Sequence, residues 1–276
     1  MDQKRIFQVA SNVFIRMRKP YYQGVAAELA FFFLMSMVPL FIIVAEIMGL
    51  FSLSVDVIGK LLSDYVLPEV AESLIKYIGY TPSGTISILF LLFALWSASK
   101  AQFSMIKIAN YTYTGLNTGR GFIFERLRSM ITVFITILLL VFSLTILIYG
   151  NIIAEIVGLY MKKILLVPFR FNEIWLVLRW PAAVALYFIG ITFIYYILPS
   201  ERLPLKKVIP GSVLASAGIL TATWVYSFYM SRFSNYDLFY GGLASVIGLL
   251  FWFYILGYVI VIGIVFNAAL METAKN

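Results

Sequence analysis

An all-α, polytopic membrane protein is the expectation from three features of this chain. Of its 276 residues 62% are apolar and only 12% are charged, with a mean hydropathy of +0.94, whereas soluble domains carry about 25% charged residues. The apolar residues gather into six runs of the length that a bilayer core demands of a helix, about 20 residues. Several of the segments between those runs mix charged and apolar residues in the manner of helices lying at an interface. The expected architecture is therefore six transmembrane helices plus amphipathic interfacial helices in one domain, 1–276. The spans cover about 24–51, 85–110, 130–155, 173–198, 208–230 and 240–270.

The chain opens with QKRIFQVASNVFIRMRK, residues 3–19. Ile6, Phe7, Val9, Ala10, Val13, Phe14 and Met17 recur at helical spacing among Lys4, Arg5, Arg16, Arg18 and Lys19. This predicts an amphipathic helix on the cytoplasmic surface. No apolar core of suitable length precedes a small-residue cleavage site, so the first span is expected to stay in the protein.

That span keeps two carboxylates, Glu28 and Glu46, 18 residues apart. Five turns separate them, so an unbroken helix sets both on one face, roughly 27 Å apart along the axis. Pro39 between them frees a backbone carbonyl and is expected to bend the helix. Charge at the bilayer centre costs about 2.5 kcal/mol or more, so both groups face protein or water, or else snorkel to the two interfaces.

Residues 55–80 set Asp56, Lys60, Asp64, Glu69, Glu72 and Lys76 among apolar residues, which predicts outer-side interfacial helices; residues 156–172 predict another. The second span contains Lys100 and leads to a basic loop with Arg120, Arg126 and Arg128. The third ends at Glu155, and the fourth carries Arg179 near its start. In the fifth, Gly211, Ala215, Gly218 and Ala222 form one narrow face on which another backbone can lie close. The sixth opens similarly with Gly241, Ser245 and Gly248, so these two helices are expected to pack together. With both termini inside, inner segments hold twelve Lys and Arg and outer segments six, which favours cytoplasmic termini.

What is missing limits the chemistry. There is no cysteine and no histidine, so disulfides, thiolate or histidine-built metal sites and triad hydrolases are excluded. The net charge of +8 is split among separate loops and lacks a basic patch with interleaved stacking aromatics, so nucleic acid is not an expected partner. No P-loop pattern is present.

Three stretches carry a family resemblance: AAELAFFFLMSMVPL, LWSASKAQFSMIKIANYTY, and IPGSVLASAGILTATWVYSFYMSRFSNYDLFYGGLASVIGLLFWFYIL. From about Gly24 to Leu270 the chain resembles the YihY/BrkB family of bacterial inner-membrane proteins, once labelled ribonuclease BN. The resemblance implies six helices in the bacterial cytoplasmic membrane. Family members often carry Gly-Ala-Glu before the asparagine near the end of the last helix; here the run is Gly263-Ile264-Val265-Phe266-Asn267, with valine at the acidic position. The nuclease label fits the residues poorly, because metal-assisted phosphodiester hydrolysis needs clustered carboxylates or histidines. The inner loops offer isolated acids, Glu125 and Glu201, among arginine and lysine.

Depth along the spans suggests a Glu28–Lys100 pair in the inner half and a cluster of Glu46, Glu155 and Arg179 near the outer boundary. These five are the candidates for a substrate or proton pathway, or else static pairs that set helix register. Asn110 and Asn267 are candidates for hydrogen bonds between helices. No catalytic residue, metal ligand or cofactor is expected, and the chain is not expected to be an enzyme. The leading function is a transporter or flippase-like protein for an amphipathic or anionic envelope compound, such as a lipid or lipid-linked precursor. The rival is a non-transporting scaffold for envelope-assembly proteins. Expected partners are membrane lipids, such a substrate, and a second copy of the chain or an envelope protein.

Overall fold

Helix starts and stops follow local chemistry. A computed structural model describes residues 3–50, 84–115, 121–139, 171–233 and 242–274, and within them side chains except those of 38–50, 84–91, 94, 171–177, 179–180, 230–233 and 242–245. Among the described residues there are seven helices and no strand. They are α1 (Gln3–Met17), α2 (Pro20–Leu50), α3 (Gly84–Thr114), α4 (122–139), α5 (Phe171–Ile197), α6 (Leu205–Phe233) and α7 (Gly242–Glu272).

Proline disfavours helical geometry in the residue before it, and its fixed φ suits a first helical position. Accordingly α1 stops at Met17 and α2 starts at Pro20. At the end of α3, Gly115 takes φ 77° and its N–H donates to Tyr111 O at 2.9 Å, closing the helix with a left-handed cap. Gly121, at φ 90°, precedes α4.

The helices extend beyond several of the expected spans. α2 begins four residues before position 24, and α3 runs four beyond 110. The larger correction concerns the basic loop. Helix α4 begins at 122, so Glu125, Arg126 and Arg128 are helical residues with fixed directions. The proposed surface helices at 55–80 and 156–170 lie outside the described residues, and 171–172 already belong to α5.

Helix α7 is the central element, packed against α1, α2, α3 and α6; α2 also packs on α3, and α5 on α6. Its sequence is apolar all round, which suits a helix that meets other helices on some faces and an apolar surround on the rest. One core cluster joins Leu29 of α2, Ile106 of α3, Tyr195 of α5, Val208 of α6 and Val261 and Ile264 of α7. Large apolar side chains instead cover the outside, including Phe31, Phe134, Val213, Trp224 and Phe251. A helical bundle with leucine, phenylalanine and valine on its outer surface is built for an apolar surround. By length and composition two described segments can cross a bilayer, Leu205–Tyr229 and Val246–Glu272, and Pro181–Ile197 is a shorter apolar helix.

At the α6–α7 crossing the two backbones approach closely. Gly211 faces Gly263 and Asn267, and Gly218 faces Val259, so the helices run antiparallel. A Cβ on Gly263 would stand 2.8 Å from Gly211 O and also collide with the Tyr195 hydroxyl. The small-residue face expected on α6 is therefore in use, and Gly263 of α7 lies against it; Gly241 and the side chain of Ser245 lie outside the described residues. Gly257 serves the same purpose against α2, where a Cβ would lie 2.8 Å from Ala26 O.

Helix α1 lies across the end of α7. Arg5 and Arg16 are about 16.5 Å apart along α1 at 1.5 Å per residue. Yet Arg5 Nη2 donates to Leu270 O at 3.4 Å and Arg16 Nη2 to Glu272 Oε1 at 2.6 Å. Helices running side by side would spread those contacts over three turns of α7.

Candidate functional site

Trp96, Lys100, Phe103 and Lys107 sit at i, i+4, i+7 and i+11 of α3, and 100° per residue places all four within about 60° of arc. The sequence of α3 thus lays down a stripe that alternates aromatic and cationic side chains. From one side α2 contributes Glu28 and Phe32, and from the other α4 contributes Phe122 and Arg126.

The contacts along the stripe are of two kinds. Glu28 Oε1 accepts a hydrogen bond from Ser104 Oγ at 2.6 Å and from Lys107 Nζ at 3.3 Å. Both charged side chains of that pair remain about one-third exposed, at 33% and 31%. Lys100 Nζ lies 3.9 Å from the Trp96 ring centroid and 5.5 Å from that of Phe32, and it has no carboxylate partner among the described residues. Phe103 is held between two cations, with Lys107 Nζ at 5.4 Å and Arg126 Cζ at 5.7 Å, and packs edge-on against Phe122 at 5.5 Å. Arg126 Nη2 also donates to Trp96 O at 3.4 Å.

Ring faces attract cations without neutralising them. Of the three cations only Lys107 meets a carboxylate among the described residues, and the stripe keeps an excess of positive charge. Trp96 and Phe122 are 45% and 64% exposed, so it opens outward between α2 and α4. An anionic group with an apolar body fits that chemistry.

The expected Glu28–Lys100 pair is corrected here. With the helix ends at Pro20 and Thr114 lying at the same end of the bundle, Glu28 stands eight residues from that end and Lys107 seven, whereas Lys100 is fourteen away. Matching depth selects Lys107, and Lys100 is left to the aromatic rings. The side chains of Glu46 and Arg179, and Glu155 entirely, lie outside the described residues.

Two further polar assemblies occupy the same end of the bundle. Asn267, fully buried on α7, accepts from Gly211 N at 2.6 Å and donates to Val208 O at 2.9 Å. The asparagine amide thus joins α7 to the first turns of α6, beside Pro210, with one donor and one acceptor. Val265 is fully buried in the core.

The second assembly was not foreseen. Glu125 is 1% exposed; Ser200 Oγ donates to its Oε1, and Arg128 Nη1 reaches Oε2 at 3.4 Å. Arg128 also bonds Ser200 Oγ at 3.2 Å and caps the carbonyls of Ile197 and Pro199 at the end of α5. Ser200 N in turn donates to Asn110 Oδ1 at 2.8 Å, tying α3, α4 and the α5–α6 turn together. Glu125 and Arg128 stand three apart on one helix, a pattern visible in the sequence. Ser200, 72 residues after Arg128, supplies the part no local pattern reveals. Among the described residues no three of His, Cys, Asp and Glu come together.

A bundle of apolar-surfaced helices with buried polar joints and a half-open cationic stripe is an integral membrane protein by construction. The comparisons agree. The chain belongs to the family described as virulence factor BrkB, whose profile matches residues 13–276. It is 30% identical over 257 residues to the ribonuclease-like protein YfkH of Bacillus subtilis, covering 92% of this chain and 91% of that one. A UPF0761 membrane protein of Xanthomonas campestris is 32% identical over 74 residues, 27% of this chain and 17% of that protein. One from Alkalilimnicola ehrlichii is 32% identical over 82 residues, 30% and 18% respectively. No solved structure matches.

Proposed function

We propose that this chain binds and moves an anionic amphiphile, a lipid or lipid-linked envelope precursor, across the bacterial cytoplasmic membrane. It does so as a single domain of six membrane-spanning helices with both termini in the cytoplasm. The observation that carries the reading is the α3 stripe, where Lys107 is paired with Glu28 while Lys100 and Arg126 rest on aromatic rings, on a face that opens outward. Lysine held by ring faces is a cation whose countercharge can come from a ligand. Phosphate or carboxylate would meet Lys107 and Lys100 while the apolar body stays along Trp96, Phe103 and Phe122. Glu28, Glu46, Glu155 and Arg179 remain candidates for the pathway, with the glutamates exchanging protons.

The scaffold reading loses its main support, because Gly211, Ala215 and Gly218 are spent on packing within the chain. The printed name of YfkH also raises a nuclease. The residues gathered at the inner end argue otherwise: Glu125 is already bonded by Ser200 and Arg128 and has no neighbouring carboxylate in its cluster.

Native mass spectrometry of protein extracted gently from its own membrane tests the proposal. A single phosphorylated or carboxylated amphiphile should be retained and should disappear in Lys100→Ala and Lys107→Ala. An empty protein accompanied by a stoichiometric protein partner would return the scaffold. Unchanged transport in the combined Glu28→Gln, Glu46→Gln, Lys100→Ala variant would remove those residues from the pathway.

A further inference from the structure

Helix α1 is fastened on one side and bare on the other. Val9 and Met17 are buried, and Arg5 and Arg16 hold the end of α7. On the opposite face Phe7 and Phe14 are 77% and 62% exposed, two turns apart, with Ala10, Lys4 and Arg18 exposed around them and Lys19 just beyond.

The setting of the helix narrows what can cover that face. Only Arg18 and Lys19 separate α1 from α2, so α1 is held where α2 enters the bundle. It lies across the end of α7 instead of alongside it, in the orientation of a membrane-surface helix. The turn at 198–204 is at the same end, since Ser200 bonds Asn110 and Gly211 bonds Asn267. Its neighbourhood adds exposed Arg202, Lys206 and Lys207 beside half-exposed Leu205. Against these cations the exposed acids at this end, among the described residues, are Glu201 and Glu272, and Arg16 already engages Glu272. Phenyl rings among unmatched cations, fixed at the level of a helix entry, complement a negatively charged lipid surface.

We infer that α1 is an anionic-lipid docking helix, whose Phe7 and Phe14 enter the headgroup region of the negatively charged leaflet while Lys4, Arg18 and Lys19 select that leaflet. The inference stands apart from any transport activity. It predicts a site for lipid headgroups on a different face from the α3 stripe.

Because the chain has no cysteine, Ala10→Cys provides a unique attachment point on the docking face without removing either ring. The full-length protein, labelled there with an environment-sensitive fluorophore, is reconstituted into phosphatidylcholine vesicles with or without phosphatidylglycerol. Nitroxide carried on the lipid headgroup should quench the label several-fold more strongly in the mixed vesicles. Each of Lys4→Gln, Arg18→Gln and Lys19→Gln should lower the docked-to-lifted ratio about five-fold, and Phe7→Ser with Phe14→Ser should lower it further. Equal quenching in both vesicles would overturn selection of an anionic leaflet. A label open to aqueous iodide in both, unmoved by these substitutions, would overturn docking altogether and leave the face to a soluble partner.

Discussion

The α6–α7 seam and the α3 stripe are both built where helices meet, yet they are opposites in construction. At the seam, glycines bring two backbones into contact, and one asparagine serves both a donor and an acceptor. No charge takes part, and no flexible side chain is available to give way. Along the stripe, long lysine and arginine side chains lean on rings at 3.9 to 5.7 Å, and one of them, Lys107, pairs with a carboxylate that stays partly exposed. Contacts of that kind can be exchanged one for another at small cost. The seam fixes the bundle, and the stripe keeps its charges free to meet something else.

Substitutions can break or sharpen that contrast. Gly263→Ala should have the largest effect, because the new Cβ meets the Gly211 carbonyl and the Tyr195 hydroxyl, and backbone cannot move aside as a flexible chain end can. A loss above about 3 kcal/mol, or no folded protein at all, is expected by thermal unfolding in detergent. Gly24→Ala is its control. Nothing lies within 4 Å of the added atom, and the gain in helix propensity should leave stability unchanged or up to about 1 kcal/mol higher.

Asn267→Leu should follow in size. It leaves Gly211 N–H without its partner in a buried turn, at about 1–3 kcal/mol, and takes one of two side-chain donors from Val208 C=O, which keeps Ser212 Oγ at 3.0 Å. Glu125→Ala should cost about 3 kcal/mol, the low end for breaking a buried pair, because Arg128 keeps the carbonyls of Ile197 and Pro199. The stripe should behave differently. Lys107→Met should change the unfolding midpoint little, with a stability effect within about 1 kcal/mol for a pair this exposed, while retention of a bound anionic amphiphile falls about tenfold or more. If Lys107→Met instead destabilised the protein as much as Asn267→Leu, the contrast would fail and the stripe would be structural. Arg16→Gln should be the smallest change, below about 1 kcal/mol by the same unfolding measurement, since its partner Glu272 is half exposed.

The legible part of this fold was the part written in continuous runs. Apolar stretches announced the helices, and the lone polar residues inside them, Glu28, Lys100, Asn110 and Asn267, marked positions where something other than packing had to be explained. Helix ends were less accessible, because they depend on single caps such as Gly115, whose left-handed φ no periodicity reports. The choice between Lys100 and Lys107 turned on those ends. Gly263 was hidden in an unbroken apolar run with no small neighbour at the usual spacing, and its meaning comes from Tyr195, 68 residues earlier on another helix. Glu125 and Arg128 looked like loop charges until α4 was seen to begin before them.

Gly263 also constrains how such a chain can change over time. One α7 position touches Tyr195 of α5 and Gly211 of α6, so any side chain gained there removes room from two helices at once. A lineage can accept alanine at 263 only after position 195 has shrunk and the α6 backbone has withdrawn, and none of those steps is favourable alone. The three positions therefore form a single inherited unit. Among homologous chains they should be kept together or replaced together, even where lipid-facing residues a turn away drift freely.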